Sequence, residues 1–316
     1  MIILRVACDN SYMFKDFEVD FTYERKSNHY LSENDRLFTG SNIKVRKNLI
    51  VMGGNVSGKT TFGKLLCMIL NFIYGKDLND GSFSMASARY DKSKDSSFEI
   101  EFVIDDVAYL LKANFHNGSL HKEEVFRQKI YKSYNVKTLR KKLYESKAIE
   151  TYYAVENLLD IGYKSYAFAL STKLGDLRKK IGFWFSFSEL PLNSSTYLGE
   201  TNIKFLNDVL PKIDNSVASV KRLTVEGETG ESFSKKTLDS QVFFTTHNAE
   251  LLDLNVPITS FLLFKRNEKG FNEVIYPSEV LRRNIRSLRM NYENDYFGVL
   301  PDYSVLDKFF EEKSND

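Results

Sequence analysis

Four residues at fixed spacing carry the strongest chemical signal: Gly53, Gly58, Lys59 and Thr60, within LIVMGGNVSGKTTF at 49–62. They fit the pattern G-x-x-x-x-G-K-[S/T], which binds phosphate. Glycines let a loop curl until successive backbone N–H groups point into one hollow. A helix starting at the end of that loop adds the positive end of its dipole. Lys59 then reaches the β- and γ-phosphate oxygens, and the Thr60 hydroxyl is placed to ligate Mg²⁺. Gly54, Asn55, Val56 and Ser57 fill the loop, and Thr61 is placed to contact an α-phosphate. The loop does not by itself separate an ATPase from a GTPase or a kinase.

The flanks are those the motif needs. Residues 49–52 are a short apolar run suited to a buried strand, and 61–74, TFGKLLCMILNFIY, are a mostly apolar helical stretch. Ahead of them, ILRVACDNSYMFKDFEVDF alternates apolar and polar residues and predicts two strands turning around 9–11. Residues 24–47 and 75–94 are polar and predict loops. Residues 97–115, SFEIEFVIDDVAYLLKANF, predict a hairpin turning at Asp105 and Asp106. Its FVIDD segment mimics an apolar strand that ends in metal-binding acids. The alternation of Phe98, Ile100, Phe102 and Ile104 favours the turn.

Residues 121–170 predict helices, from apolar residues at three- and four-residue spacing. Within 121–150 there are nine Lys/Arg against four Glu. That excess suits either a nucleic-acid or partner surface or the solvated face of an exposed helix. Residues 216–240 predict a strand and a polar loop. QVFFTTHN at 241–248 is a short apolar strand ending in Thr-Thr-His, and 258–277 predict strand, turn and strand with the turn at 267–270. A last helix carries Arg282, Arg283, Arg286 and Arg289, suited to salt bridges or to phosphates.

The whole chain has 316 residues, of which 42% are hydrophobic and 27% charged, enough for one large core or one core with an inserted lobe. Its 25 Phe predict an aromatic-rich interior. The longest apolar stretch is too short to cross a bilayer. Two cysteines, Cys8 and Cys67, give neither a disulfide framework nor metal-ligand spacing, so a cytoplasmic location is expected. A net charge of +2 leaves any attraction to nucleic acid to local patches.

Three features together resemble a family: the antiparallel start ahead of the phosphate loop, TTHN far downstream at a strand end, and the ending SLRMNYENDYFGVLP. The combination resembles the ABC-type, AAA-like ATPases close to the ATPase part of the OLD family, with the head architecture of SMC-like ATPases. Many of these serve bacterial anti-phage systems of the Septu, retron-linked or abortive-infection kind. The resemblance covers roughly 1–115 and 240–305.

It implies an α/β fold, a P-loop NTPase with an ABC/SMC-type head of mixed sheet and N-terminal antiparallel strands. The head would be formed by 1–120 and 216–316, around a mainly helical insertion at 121–215. It also implies ATP and Mg²⁺ as ligands, head-to-head self-association, and control of a separate nuclease or toxin effector. His247 would be the switch histidine that senses the γ-phosphate and positions the attacking water, with Thr246 and Asn248 behind it. Tyr12 and Phe14 become candidates for contact with the base. Two family elements are not found: an apolar strand ending in Asp-Glu just before the histidine strand, and a Ser-Gly-type signature, of which GETGES at 227–232 is a faint echo. A nucleotide-gated scaffold that does not hydrolyse, a DNA-repair-type ATPase and a small-molecule kinase are the alternatives.

Overall fold

The computed structural model describes residues 1–26, 29–74, 85–153, 200–213, 218–219, 241–281 and 287–300. The strands, in chain order, are β1 (Ile2–Asp9), β2 (Phe17–Asp20), β3 (Thr22–Tyr23), β4 (Lys44–Val45), β5 (Asn48–Met52), β6 (Ser96–Ile104), β7 (Val107–His116), β8 (Ser119–Lys129), β9 (Glu150–Tyr153), β10 (Val242–Thr245), β11 (Phe261–Arg266) and β12 (Asn272–Ile275). The helices are α1 (Tyr30–Asn34), α2 (Lys59–Tyr74), α3 (Met85–Ala88), α4 (Val136–Glu145), α5 (Glu200–Ile213), α6 (Pro277–Val280) and α7 (Leu288–Glu293).

They build a mixed α/β fold around two main sheets. One has the order β2-β1-β6-β7-β8-β9 and is antiparallel throughout. The other has the order β10-β5-β11-β12, in which β10, β5 and β11 run parallel and β12 returns antiparallel. Strand β5 lies inside this second sheet and is buried along its whole length. Its side chains alternate between two cores, as a strand covered on both faces requires. Leu49 and Val51 enter the core shared with α2, whereas Ile50 and Met52 enter a second core with Phe205, Val209, Leu251 and Tyr292.

Helix α2 fills the space between the sheets. Residues 65–73 are all buried, so the helix is apolar around its full circumference. At one end Phe62 meets Phe264 of β11, with ring centroids 5.3 Å apart. At the other, Phe72 meets Phe98 of β6 at 5.4 Å and Phe115 of β7 at 5.7 Å. Among the described residues no helix is long and apolar enough to cross a membrane.

The N-terminal strand pair, the strand before the phosphate loop, the hairpin at Asp105–Asp106 and the hairpin after residue 260 stand as expected. The helical expectation for 121–170 is corrected at both ends of its described part. Residues 119–129 are β8 and 150–153 are β9, and only Val136–Glu145 is helical. The antiparallel sheet therefore runs on past residue 120. The cause is local: Asn117 (φ 49°) and Gly118 (φ 84°) form a two-residue turn that folds β8 back on β7. Residues 154–170, the segment at 216–240 (apart from 218–219), and Arg282, Arg283 and Arg286 lie outside the described residues. Arg289 makes ion pairs with Asp253 at 2.9 Å and Glu293 at 2.6 Å.

Candidate functional site: a phosphate loop beside a strand-end histidine

The loop from Gly53 to Gly58 joins β5 to α2, and the first helical bond, Phe62 N–H to the Gly58 carbonyl, is 2.8 Å. Two glycines are required by contact as well as by conformation. At Gly53 (φ 147°) a Cβ would lie 2.2 Å from the Phe264 carbonyl oxygen. At Gly58 (φ 97°) it would lie 2.4 Å from the Asn272 amide nitrogen. The loop is thus pressed against the β11–β12 hairpin, and no side chain fits between them. Asn272 is 3% exposed, its backbone N–H donates to the Met13 carbonyl at 3.0 Å, and its side-chain oxygen is buried without a hydrogen-bond partner. It ties the β1–β2 turn, the hairpin and the loop into one unit. Nothing in the sequence marks this residue, because the contact joins segments remote along the chain.

Lys59 is 8% exposed and lies over the loop. Its ammonium donates to the Gly53 and Gly54 carbonyls at 2.9 Å each and approaches Ser57 Oγ at 3.4 Å. Burial pulls its pKa below the usual lysine value. Ser57 is buried, Thr61 is half-buried, and Asn55, Val56 and Thr60 are exposed around the rim. The exposed Thr60 hydroxyl, in the first turn of α2, is available as a ligand to a phosphate-bound cation. The loop is backed by the hairpin at Gly53 and Gly58 and carries a lysine ammonium on its other side, an arrangement that suits a phosphate group. Among the described residues no three His, Cys, Asp or Glu side chains cluster to hold a metal alone.

Val56 is the strained member of the loop. It takes φ 66° and is 71% exposed. A β-branched residue is rarely found there, because its Cβ crowds the following carbonyl. Val56→Gly is expected to stabilise the protein by about 1 kcal/mol, the relief of strain less the entropy cost of glycine. Thermal unfolding would show a rise of about 2 °C. A Val56→Gly melting point at or below wild type would refute the strain.

His247 follows β10. That strand pairs in parallel with β5, Thr245 opposite Val51, and the Thr246 N–H donates to the Val51 carbonyl at 3.0 Å. His247 therefore emerges exposed at the same end of the sheet as the phosphate loop. Buried Thr246 accepts the Asn248 N–H at 3.0 Å through its Oγ1, which fixes the turn. Asn248 in turn caps the 3₁₀ turn Ala249–Asp253 by accepting the Glu250 N–H at 2.9 Å. Both residues shape the peptide that presents His247.

One other expectation changes. Phe14 is wholly buried and packs on Phe17 at 4.3 Å and Phe62 at 6.4 Å, so it supports α2 and cannot face a base. The Tyr12 hydroxyl is buried without a hydrogen-bond partner, and burial raises its pKa. The FVIDD acids sit at the β6–β7 turn, where Asp105 has φ 56°, in the sheet that does not contain the loop. Comparison of the chain with protein-family models gives no match, and comparison with curated proteins gives none.

Proposed function

We propose that this protein is a Mg-ATP-binding ATPase with an ABC/SMC-type head. In this reading it dimerises through its heads and gates a separate nuclease or toxin effector in anti-phage defence. One observation carries the nucleotide-binding part: a parallel strand ending in an exposed histidine lies directly beside the strand that feeds the glycine-cradled phosphate loop. The effector role rests on the family resemblance of the sequence.

In this reading Lys59 leaves the Gly53 and Gly54 carbonyls for phosphate oxygens, and the loop amides hold the β-phosphate. Thr60 would ligate Mg²⁺, which supplies charge neutralisation on the β- and γ-phosphates. The His247 imidazole, as a hydrogen-bond donor or acceptor at a strand tip, would meet the γ-phosphate and the water that attacks it.

Calorimetry with Mg-ATP tests the binding. Wild type is expected to give a saturable signal, and Lys59→Ala to bind at least about ten-fold more weakly, through loss of a charge-assisted contact. His247→Ala is expected to bind within a few-fold of wild type and to release γ-phosphate about 10- to 100-fold more slowly in a single turnover. No heat with wild type would end the proposal.

The second reading, a nucleotide-gated scaffold without hydrolysis, is favoured by the FVIDD acids lying at a hairpin turn. The same single-turnover measurement separates the two. Binding without any γ-phosphate release would select the scaffold.

A further inference from the structure

Residues 130–143 contain no acid, and their lysines are not neutralised elsewhere. Of the nine basic residues in 121–150, Lys122 pairs with Glu124, Lys129 with Asp106, and Arg140 with Asp20 and Glu101. Lys132, Lys137, Lys141 and Lys142 are exposed and make no ion pair among the described residues. Aromatic rings stand between them. Tyr131 is 51% exposed, its ring lies 5.3 Å from that of Tyr134, and the Lys142 ammonium lies 5.6 Å over Tyr134. A salt-bridged helix face would interleave its lysines with acids, and a packed face would bury both tyrosines. This surface has no acid between its lysines and leaves Tyr131 exposed.

The start of α4 adds a second observation. A cleft of about 370 Å³ opens there, with Arg25, Arg46, Lys137 and Arg140 in its wall. Asn135 caps only the Thr138 N–H, so the first amides of α4 remain as donors. Arg46 is 1% exposed and gives its Nε to the Thr259 carbonyl and its Nη1 to the Asp20 carbonyl, and its Nη2 has no hydrogen-bond partner. Arg140 likewise leaves Nη2 unbonded. Of the acids in the wall, Asp20 is committed to Arg140, Glu279 stands 3.7 Å from Arg46, and Glu24 is exposed.

We infer that this surface binds single-stranded nucleic acid. Phosphates would meet Lys132, Lys137, Lys141, Lys142 and the start of α4, while exposed Tyr131, backed by half-buried Tyr134, offers a ring face to a base. Unpaired cations beside an exposed ring are what an unpaired strand needs and a duplex cannot use fully. The surface lies on the antiparallel sheet and its helix, and its binding does not require the phosphate loop.

Fluorescence anisotropy with labelled oligo-dT and oligo-U of about 20 nucleotides, and with a duplex of equal length, tests the inference. Saturable binding of either single strand is expected, tighter than the duplex, with the preferred sugar read from the two probes. Tyr131→Ala should weaken single-strand binding roughly ten-fold and leave the duplex unchanged. Lys141→Gln with Lys142→Gln should weaken both and lower the single-strand salt slope by about 1.4, the loss of two phosphate contacts. Lys59→Ala should bind like wild type, which separates this surface from the nucleotide site. The Tyr131, Lys141 and Lys142 side chains are exposed, so unchanged melting temperatures would show that those variants fold. Absence of binding to both single strands at about 50 mM salt would overturn the inference, as would a duplex preference indifferent to Tyr131→Ala.

Discussion

Gly53→Ala is expected to cost roughly 3 kcal/mol of stability and at least about 100-fold in nucleotide affinity. The added methyl carbon would fall 2.2 Å from the Phe264 carbonyl oxygen and 2.8 Å from Ser57 Oγ. The first of these is backbone in the middle of a sheet, opposite Val274, and has nowhere to go. Relief therefore requires the loop to lift from the hairpin, which moves the Gly53 and Gly54 carbonyls and the loop amides that the proposed function assigns to phosphate. Gly270→Ala is the matched control. It has φ 81° in the β11–β12 turn with open space around it, so it carries the conformational penalty alone, about 1 kcal/mol. Thermal unfolding and calorimetry of the two variants should diverge in both quantities. Equal losses at the two glycines would show that contact with Phe264 is unimportant.

Glu101→Ala is expected to destabilise the fold by about 3–5 kcal/mol, the cost of stripping one partner from a buried charge network. Glu101 is 1% exposed and lies on β6 beneath α4. It accepts Arg140 Nε at 2.8 Å and the Tyr144 hydroxyl at 2.7 Å, with Arg5 Nη1 at 3.8 Å. Arg140 also reaches Asp20 at 2.6 Å, and Arg5 reaches Glu18 at 2.8 Å and Glu99 at 3.2 Å. Burial opposes ionisation of Asp20, yet Arg140 and Thr22 hold its carboxyl below the usual range. Removing Glu101 leaves the Arg140 guanidinium with one carboxylate in a partly dry site. Glu101→Gln keeps an acceptor for Tyr144 and should lose less. Denaturant unfolding of both variants gives the comparison, and a loss under about 1 kcal/mol for alanine would mean the network relaxes around the gap.

The phosphate loop was legible because its motif dictates backbone shape, and backbone shape is local. The hairpins were legible for the same reason: period-two alternation and turn residues are read over a few positions. Strand β8 was missed although its signal was present, since Asn117-Gly118 is the strongest short hairpin mark. The charged stretch HKEEVFRQK masked the inward pair Leu120 and Val125. Arg140 shows the opposite limit. In sequence it belongs to a basic run, but its partners Asp20 and Glu101 come from strands far along the chain. The same holds for Asn272 beneath Gly58 and for Phe14, whose aromatic neighbours decide that it faces inward.

The double burial of α2 makes the Gly53–Gly58 loop and the antiparallel sheet parts of one lever. At 16 residues the helix is a rod of about 24 Å, with Lys59 at its tip and Phe72 wedged between Phe98 and Phe115 at its heel. A close-packed rod transmits displacement with little slack. Any pull on the tip is felt by β6 and β7, the strands that carry the Glu101 network and the base of α4.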